Sequence, residues 1–153
     1  MNMKYSGTLI AVSDVAKSKD FYVNVMEEKV IMDLGVYVAF ESGLCMHSDY
    51  EGLVGVKLEA RARPDNFELY FETEDLAAWE TKLKSVEGLE FLHESKEYPW
   101  GQSVLRFYDH DKYIVEVAET MEGVAKRFMA QGLSVEETAQ RMMSPIEFVK
   151  QFV

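Results

Sequence analysis

Residues Asn66–Trp79, NFELYFETEDLAAW, hold a strand, a stop and a helix start within fourteen positions. Apolar and polar side chains alternate from Phe67 to Thr73, the period of a half-buried strand. Asp75 then stands where a helix N-cap belongs, and Leu76, Trp79 and Leu83 follow on one helical face. The same order occurs earlier. Tyr5–Ser13, YSGTLIAVS, is β-like and ends at Asp14, and Val15, Ser18, Phe21, Tyr22, Val25 and Met26 form a largely apolar helical stripe. The two capping aspartates, at 14 and 75, lie 61 positions apart, and the same offset carries Gly7 onto Glu68. An internal repeat of this length is a statement about architecture.

Working outward, three short β-like runs follow each helix. They are Lys29–Leu34, Tyr37–Ser42 and Leu44–Ser48 in the first half, and Leu89–His93, Gln102–Tyr108 and Tyr113–Ala118 in the second. The expected fold class is α+β: two tandem β-α-β-β-β modules forming a curved, cup-like mixed sheet, plus a C-terminal helical extension. The modules cover about residues 5–49 and 66–118 of a domain spanning 1–119, with a linker at about 50–65. Within the linker, VGVKLEA (Val54–Ala60) is a candidate extra strand. Residues 120–153 read as helices packed on the domain or on a dimer partner. Met121, Val124, Phe128 and Met129 have helical spacing, and Gly132 is a natural stop. Ser134 with Glu137 has a capping-box pattern, and Ser144, Pro145 and Glu147 suggest a second, with proline at the first helical position.

The 153 residues suit one core of moderate size, and a formal net charge of −11 disfavours nucleic acid and anionic membranes as partners. Cys45 is the single cysteine, which excludes an internal disulfide and a thiolate-rich metal site. No apolar run is long enough for a secretion signal's central region or a bilayer span, so the expected location is the cytoplasm.

Three segments resemble a known family. LIAVSDVAKSKDFY (Leu9–Tyr22) resembles the opening motif of the glyoxalase, bleomycin-resistance and extradiol-dioxygenase superfamily, the vicinal oxygen chelate proteins. ELYFETEDLAAW (Glu68–Trp79) is similar to its second opening, and YPWGQSVLRFYDHDKYIVEV (Tyr98–Val117) to its ending. The turn of that ending departs from the usual pattern, with His110 and Lys112 in place of proline and glycine and Tyr113 at the usual asparagine. The resemblance implies a cup that holds a small molecule and a homodimer. In metal-dependent members it also implies ligands on the first and last strands of each half.

Here those four positions are Gly7, Cys45, Glu68 and Glu116. Glycine offers no donor, and a soft thiol with two hard carboxylates suits no single common divalent metal. No cofactor is therefore expected. A divalent cation, if one binds, would use Glu68 and Glu116, with His47 as a further donor. Strand alternation aims Gly7 and Leu9, Cys45 and His47, Glu68 and Tyr70, and Glu116 towards the cup. Arg106 is expected to face it too, as an anion binder or as a partner for Glu116. Tyr70, Trp100 and Tyr113 would supply planar walls. His93 and His110 read as solvent or turn residues.

Three functions follow as expectations. One is a small-molecule binder without the usual metal site. Another is a lyase, isomerase or dioxygenase, metal-dependent or metal-free, using Glu68 and Glu116 as catalytic carboxylates. If those two approach each other without a metal, repulsion raises one proton affinity and makes a proton-sharing pair. The third is a regulatory protein acting through the C-terminal helices, whose balanced charges are poorly suited to a phosphate backbone.

Overall fold

The computed structural model describes residues 3–58 and 62–152. The chain divides into two compact units. One comprises the chain before Pro64 together with His110–Lys112, and the other comprises Pro64–Asp109 and the chain from Tyr113 onward.

The first unit contains β1 (Thr8–Ala11), α1 (Val15–Asn24), β2 (Val30–Asp33), β3 (Tyr37–Phe40) and β4 (Leu44–His47). Asp14 caps α1 by accepting the backbone N–H of Lys17 at 3.0 Å, a contact worth about 0.5–2 kcal/mol in general. Ser18, Phe21 and Tyr22 on the buried face of α1 share the core with Ile10, Val12, Val38, Phe40 and Met46. The sheet order is β1-β4-β3-β2, with β1 parallel to β4 and the other pairs antiparallel. The turn residues His110–Lys112 complete this unit. Asp111 accepts from the Ser13 N–H at 2.8 Å and from the Ser18 hydroxyl at 3.0 Å, and the His110 ring lies edge-on to Phe21. On the edge strand β2 and the turn after it, Val30, Ile31, Met32, Leu34 and Val36 are all exposed.

The second unit repeats the pattern with β5 (Glu68–Thr73), α3 (Leu76–Lys84), β6 (Glu90–Glu97), β7 (Ser103–Tyr108) and β8 (Ile114–Glu119). Its order, β5-β8-β7-β6, matches strand for strand, again with one parallel pair. Asp75 caps α3 through the Ala78 N–H at 2.9 Å. The tandem β-α-β-β-β arrangement is thus the architecture of the chain.

The linker is not wholly irregular. Tyr50–Val54 forms a short helix, α2, capped by Asp49 and ended by Gly55 in the left-handed conformation. The described part of the candidate extra strand, Val54–Leu58, is not extended into a sheet, and its last two residues lie outside the described residues.

The C-terminal helices are α4 (Met121–Ala130), α5 (Val135–Arg141) and α6 (Ile146–Val149), followed by one 3-10 turn. They share a cluster of Val124, Ala125, Phe128, Ala139, Met142 and Val149. The capping box of Ser134 and Glu137 forms. The second expected box does not: Pro145 is itself the N-cap residue of α6, with no side-chain hydrogen bond there. Proline sits one position earlier than expected, so the Ser144 hydroxyl is not at the position from which a cap reaches the first turn. Among the described residues, no helix is long and apolar enough to cross a membrane.

Candidate functional site

In the second unit, the register sets one face of the sheet. Tyr70 lies beside Glu116 across the β5–β8 ladder, and Arg106 lies beside Glu116 across β7–β8. Regular pairing keeps Glu68, Tyr70 and Glu72 on this face, while Leu105, Phe107, Val115 and Val117 point the other way into the core. In β6 the ladder slips between Phe91 and His93, which brings His93 opposite Arg106.

Arg106 is the centre of the cluster. Its Nε and Nη2 donate to the two oxygens of Glu68 at 2.7 and 3.4 Å. Nη2 also forms an ion pair with Oε2 of Glu116, and that oxygen has no directed hydrogen-bond donor. Nη1 donates to the Tyr98 hydroxyl at 2.7 Å and lies 3.2 Å from Nε2 of His93. One guanidinium therefore bridges both carboxylates.

The two carboxylates differ in proton affinity because their environments differ. Glu116 is 5% exposed, and its pKa is pushed up to about 7. Burial is the main cause. The Arg106 charge opposes it, while the neighbouring Glu68 carboxylate and a hydrogen bond with it add to it. Glu68 is shifted below the usual carboxylate range, chiefly by its hydrogen bonds from Arg106. Near neutral pH Glu116 is therefore poised between its protonated and ionised forms, while Glu68 stays ionised.

Tyr70 is held beside them. Its hydroxyl donates to Glu72 at 2.6 Å and accepts from the Gln102 amide at 3.3 Å. Burial and the Glu72 contact push its pKa up to about 12. Trp100 sits in the β6–β7 turn, donating its indole N–H to Gln102 at 3.0 Å and stacking on Tyr98 with centroids 4.8 Å apart. Tyr113 is placed elsewhere, with its ring against Phe67 at the start of β5.

The other candidates lie in the first unit. Leu9 pairs with Cys45 and Ala11 with His47 across β1–β4, so Leu9, Cys45 and His47 share a face. The Cys45 sulfur accepts a hydrogen bond from the Tyr37 hydroxyl at 3.2 Å. His47 is buried, and its Nδ1 accepts the backbone N–H of Asp49 at 3.0 Å. That contact places the neutral ring's proton on Nε2. Gly7 precedes β1 with φ +148, and a Cβ there would overlap the carbonyl oxygen of Gly43.

Three residues of the cluster escape a reading of the sequence: His93, Tyr98 and Gln102. Simple alternation puts His93 on the face of Phe91, and only the slip in β6 reverses it. Tyr98 and Gln102 flank a turn whose shape depends on contacts far away in the chain.

The donor set does not fit the divalent cation that the resemblance implies for metal-dependent members. Gly7 has no donor atom, the Nδ1 lone pair of His47 is committed, and Arg106 already occupies both oxygens of Glu68. Among the described residues, no group of three or more His, Cys, Asp or Glu side chains is arranged to hold a metal ion.

Comparison with known proteins gives a consistent family. The model of a glyoxalase-like domain matches residues 5–122. A solved protein of unknown function from Agrobacterium tumefaciens is 31% identical, with a TM-score of 0.72 over 79% of this chain and 97% of that one. A lactoylglutathione lyase from the same organism (20% identity, TM-score 0.60, 78% and 96% coverage) has the same fold. So does the fosfomycin resistance protein FosX of Listeria monocytogenes (20% identity, TM-score 0.58, 80% and 98% coverage). A search of the curated proteins gives no significant match. The duplicated β-α-β-β-β frame and the match across it together show that this chain belongs to the glyoxalase-like domain family of the vicinal oxygen chelate superfamily.

Proposed function

We propose that the protein binds a planar, partly apolar small molecule on the Glu116 face of its second unit, and that it does so without a metal. The observation that carries this reading is the bridging Arg106. Its guanidinium supplies, between Glu68 and Glu116, the positive charge that a bound cation supplies elsewhere. Tyr70 and the stacked Tyr98–Trp100 pair offer ring faces beside this charge. A thermal-shift screen of planar compounds, run with and without chelator, tests it. Compounds that stabilise the protein should keep their effect in chelator and lose it in Arg106→Ala. Hits that require added metal would overturn the reading, as would stoichiometric metal retained by the wild type and lost in Glu116→Gln.

A second reading is favoured by the proton affinity of Glu116. A carboxyl with a pKa of about 7 suits proton transfer at neutral pH, for example removal of a proton beside a carbonyl. If the protein turns over α-ketoaldehydes, their thiol adducts or catechols, Glu68→Gln and Glu116→Gln should each lower the rate by about 100-fold or more. Activity unchanged by both substitutions would remove this reading. The homodimer expected of the family has an apolar surface available on the β2 edge. Light scattering of Ile31→Lys, which should shift a dimer towards monomer, checks that use of it.

A further inference from the structure

The C-terminal helices lie outside most of the family match, which ends at residue 122, yet they reach the β6–β7 turn beside the candidate site. Arg127 on α4 donates to the carbonyl of Gly101 at 2.6 Å and pairs with Glu119 at 3.1 Å. Arg141 on α5 donates to the carbonyl of Pro99 at 2.5 Å and pairs with Glu97 at 2.6 Å. The two guanidinium groups stand about the Phe128 ring, 5.0 and 4.9 Å from its centroid. Phe128 in turn fills the space beside Gly101, where a Cβ would overlap the ring. The turn is thus held at its Pro99 and Gly101 carbonyls by two arginines and beside Gly101 by one ring, all three from the C-terminal helices.

From the turn, two connections run into the site. Tyr98 accepts from Arg106, and Gln102 donates both to Tyr70 and to the carbonyl of Glu119. Glu119 ends the same strand that carries Glu116, and its carboxylate also accepts the Ser103 N–H at 2.7 Å. We propose that the C-terminal helices are a clamp on the site. In it Arg127 and Arg141 are positioning residues, holding the turn so that Tyr98 and Gln102 fix Arg106 and Tyr70 against the Glu68–Glu116 pair. The proposal rests on the reading of that pair as the ligand site. It gives the extension a task that merely covering an apolar stripe would not require.

The full-length protein provides the test, with Arg141→Ala as the main variant. Val149→Ala is the control, because Val149 is buried in the helical cluster and its aliphatic side chain can make no hydrogen bond to the turn's carbonyls. Two quantities are read by NMR: amide exchange at Tyr98 and Gly101, whose N–H groups close the turn, and the carboxyl titration of Glu116, assigned with Glu116→Gln. In Arg141→Ala, exchange at both amides should speed up by about tenfold or more, as the turn opens locally. The Glu116 midpoint should move down towards the ordinary carboxylate range as water reaches it. Val149→Ala should lower thermal stability and change neither quantity. Arg141→Lys, which keeps the charge but loses the fork, should fall between wild type and alanine and serves if alanine does not fold. The clamp is overturned if Arg141→Ala leaves both quantities as in wild type, or if Val149→Ala moves them equally. If wild-type Glu116 titrates as an ordinary carboxylate, the reading of the acid pair fails. The exchange rates then decide the clamp alone, with faster turn amides in Arg141→Ala supporting it and unchanged ones removing it.

Discussion

Glu116→Gln is expected to abolish most of the dependence of stability on pH between about pH 5 and 8. Burial raises the pKa of Glu116 to about 7 in the folded chain, against an ordinary value of 4.5. Between those values the folded state holds a proton that the unfolded state has released. The stabilisation is therefore complete below the unfolded pKa and is lost as pH rises through the folded one. A separation of this size corresponds to roughly 3 kcal/mol. Glu68 acts in the opposite direction. Arg106 lowers its pKa, so its contribution is present above the ordinary range and is lost on acidification through the lowered value. The wild type should therefore be most stable near pH 5. The glutamine amide cannot ionise, so the alkaline slope due to Glu116 should vanish, while the acid losses due to Glu68 and to His110, whose ring burial holds below its usual range, remain. Urea unfolding at pH 5 and pH 8 measures the difference directly. A wild type equally stable at both values, or a Glu116→Gln variant with the wild-type slope, would show that Glu116 is not buried with a proton.

The parts of this site legible in the sequence are those carried by regular strands. β5 and β8 run in unbroken register, so alternation from Glu68 and from Glu116 gives their common face correctly. Arg106 lies on the same face for the same reason, but its simultaneous grip on both carboxylates depends on a rotamer and on Tyr98. His93 was hidden by the slips in β6, because an extra residue in a ladder reverses every side chain beyond it. The helix at Tyr50–Val54 had visible signals, Asp49 before it and Gly55 after it, but five residues are too few to show a period. The expected cap at Ser144 failed by one position at a proline. The two aspartate caps, by contrast, succeed because each needs only its own side chain and the backbone N–H three residues on.

Gly7→Ala is expected to cost the first unit about 3 kcal/mol or more, which for a chain of this size is a fall in Tm of roughly 10 °C. Two effects add. The φ of +148 lies in a region that side chains rarely adopt, and the new Cβ would overlap the carbonyl oxygen of Gly43. That carbonyl accepts the Thr8 N–H at 3.1 Å, beside the first pair of the parallel β1–β4 ladder, so moving it loosens the ladder at its start. Gly43→Ala is the internal comparison. Its φ is also positive, at +92, but its nearest contact would be 3.4 Å from the Ser6 carbonyl oxygen, so strain alone should apply and the loss should be smaller. The order of the two losses separates close approach from conformational preference. The consequence for function concerns the ligand missing from position 7. If glycine stood there only because a metal ligand had been lost, Gly7→His would fold well and bind zinc stoichiometrically. With the Gly43 carbonyl against the Cα, Gly7→His should instead be destabilised at least as much as Gly7→Ala and bind no more zinc than the wild type. Equal stability of wild type and Gly7→Ala in thermal unfolding, or one zinc per chain in Gly7→His by mass spectrometry, would refute this account of the first ligand position.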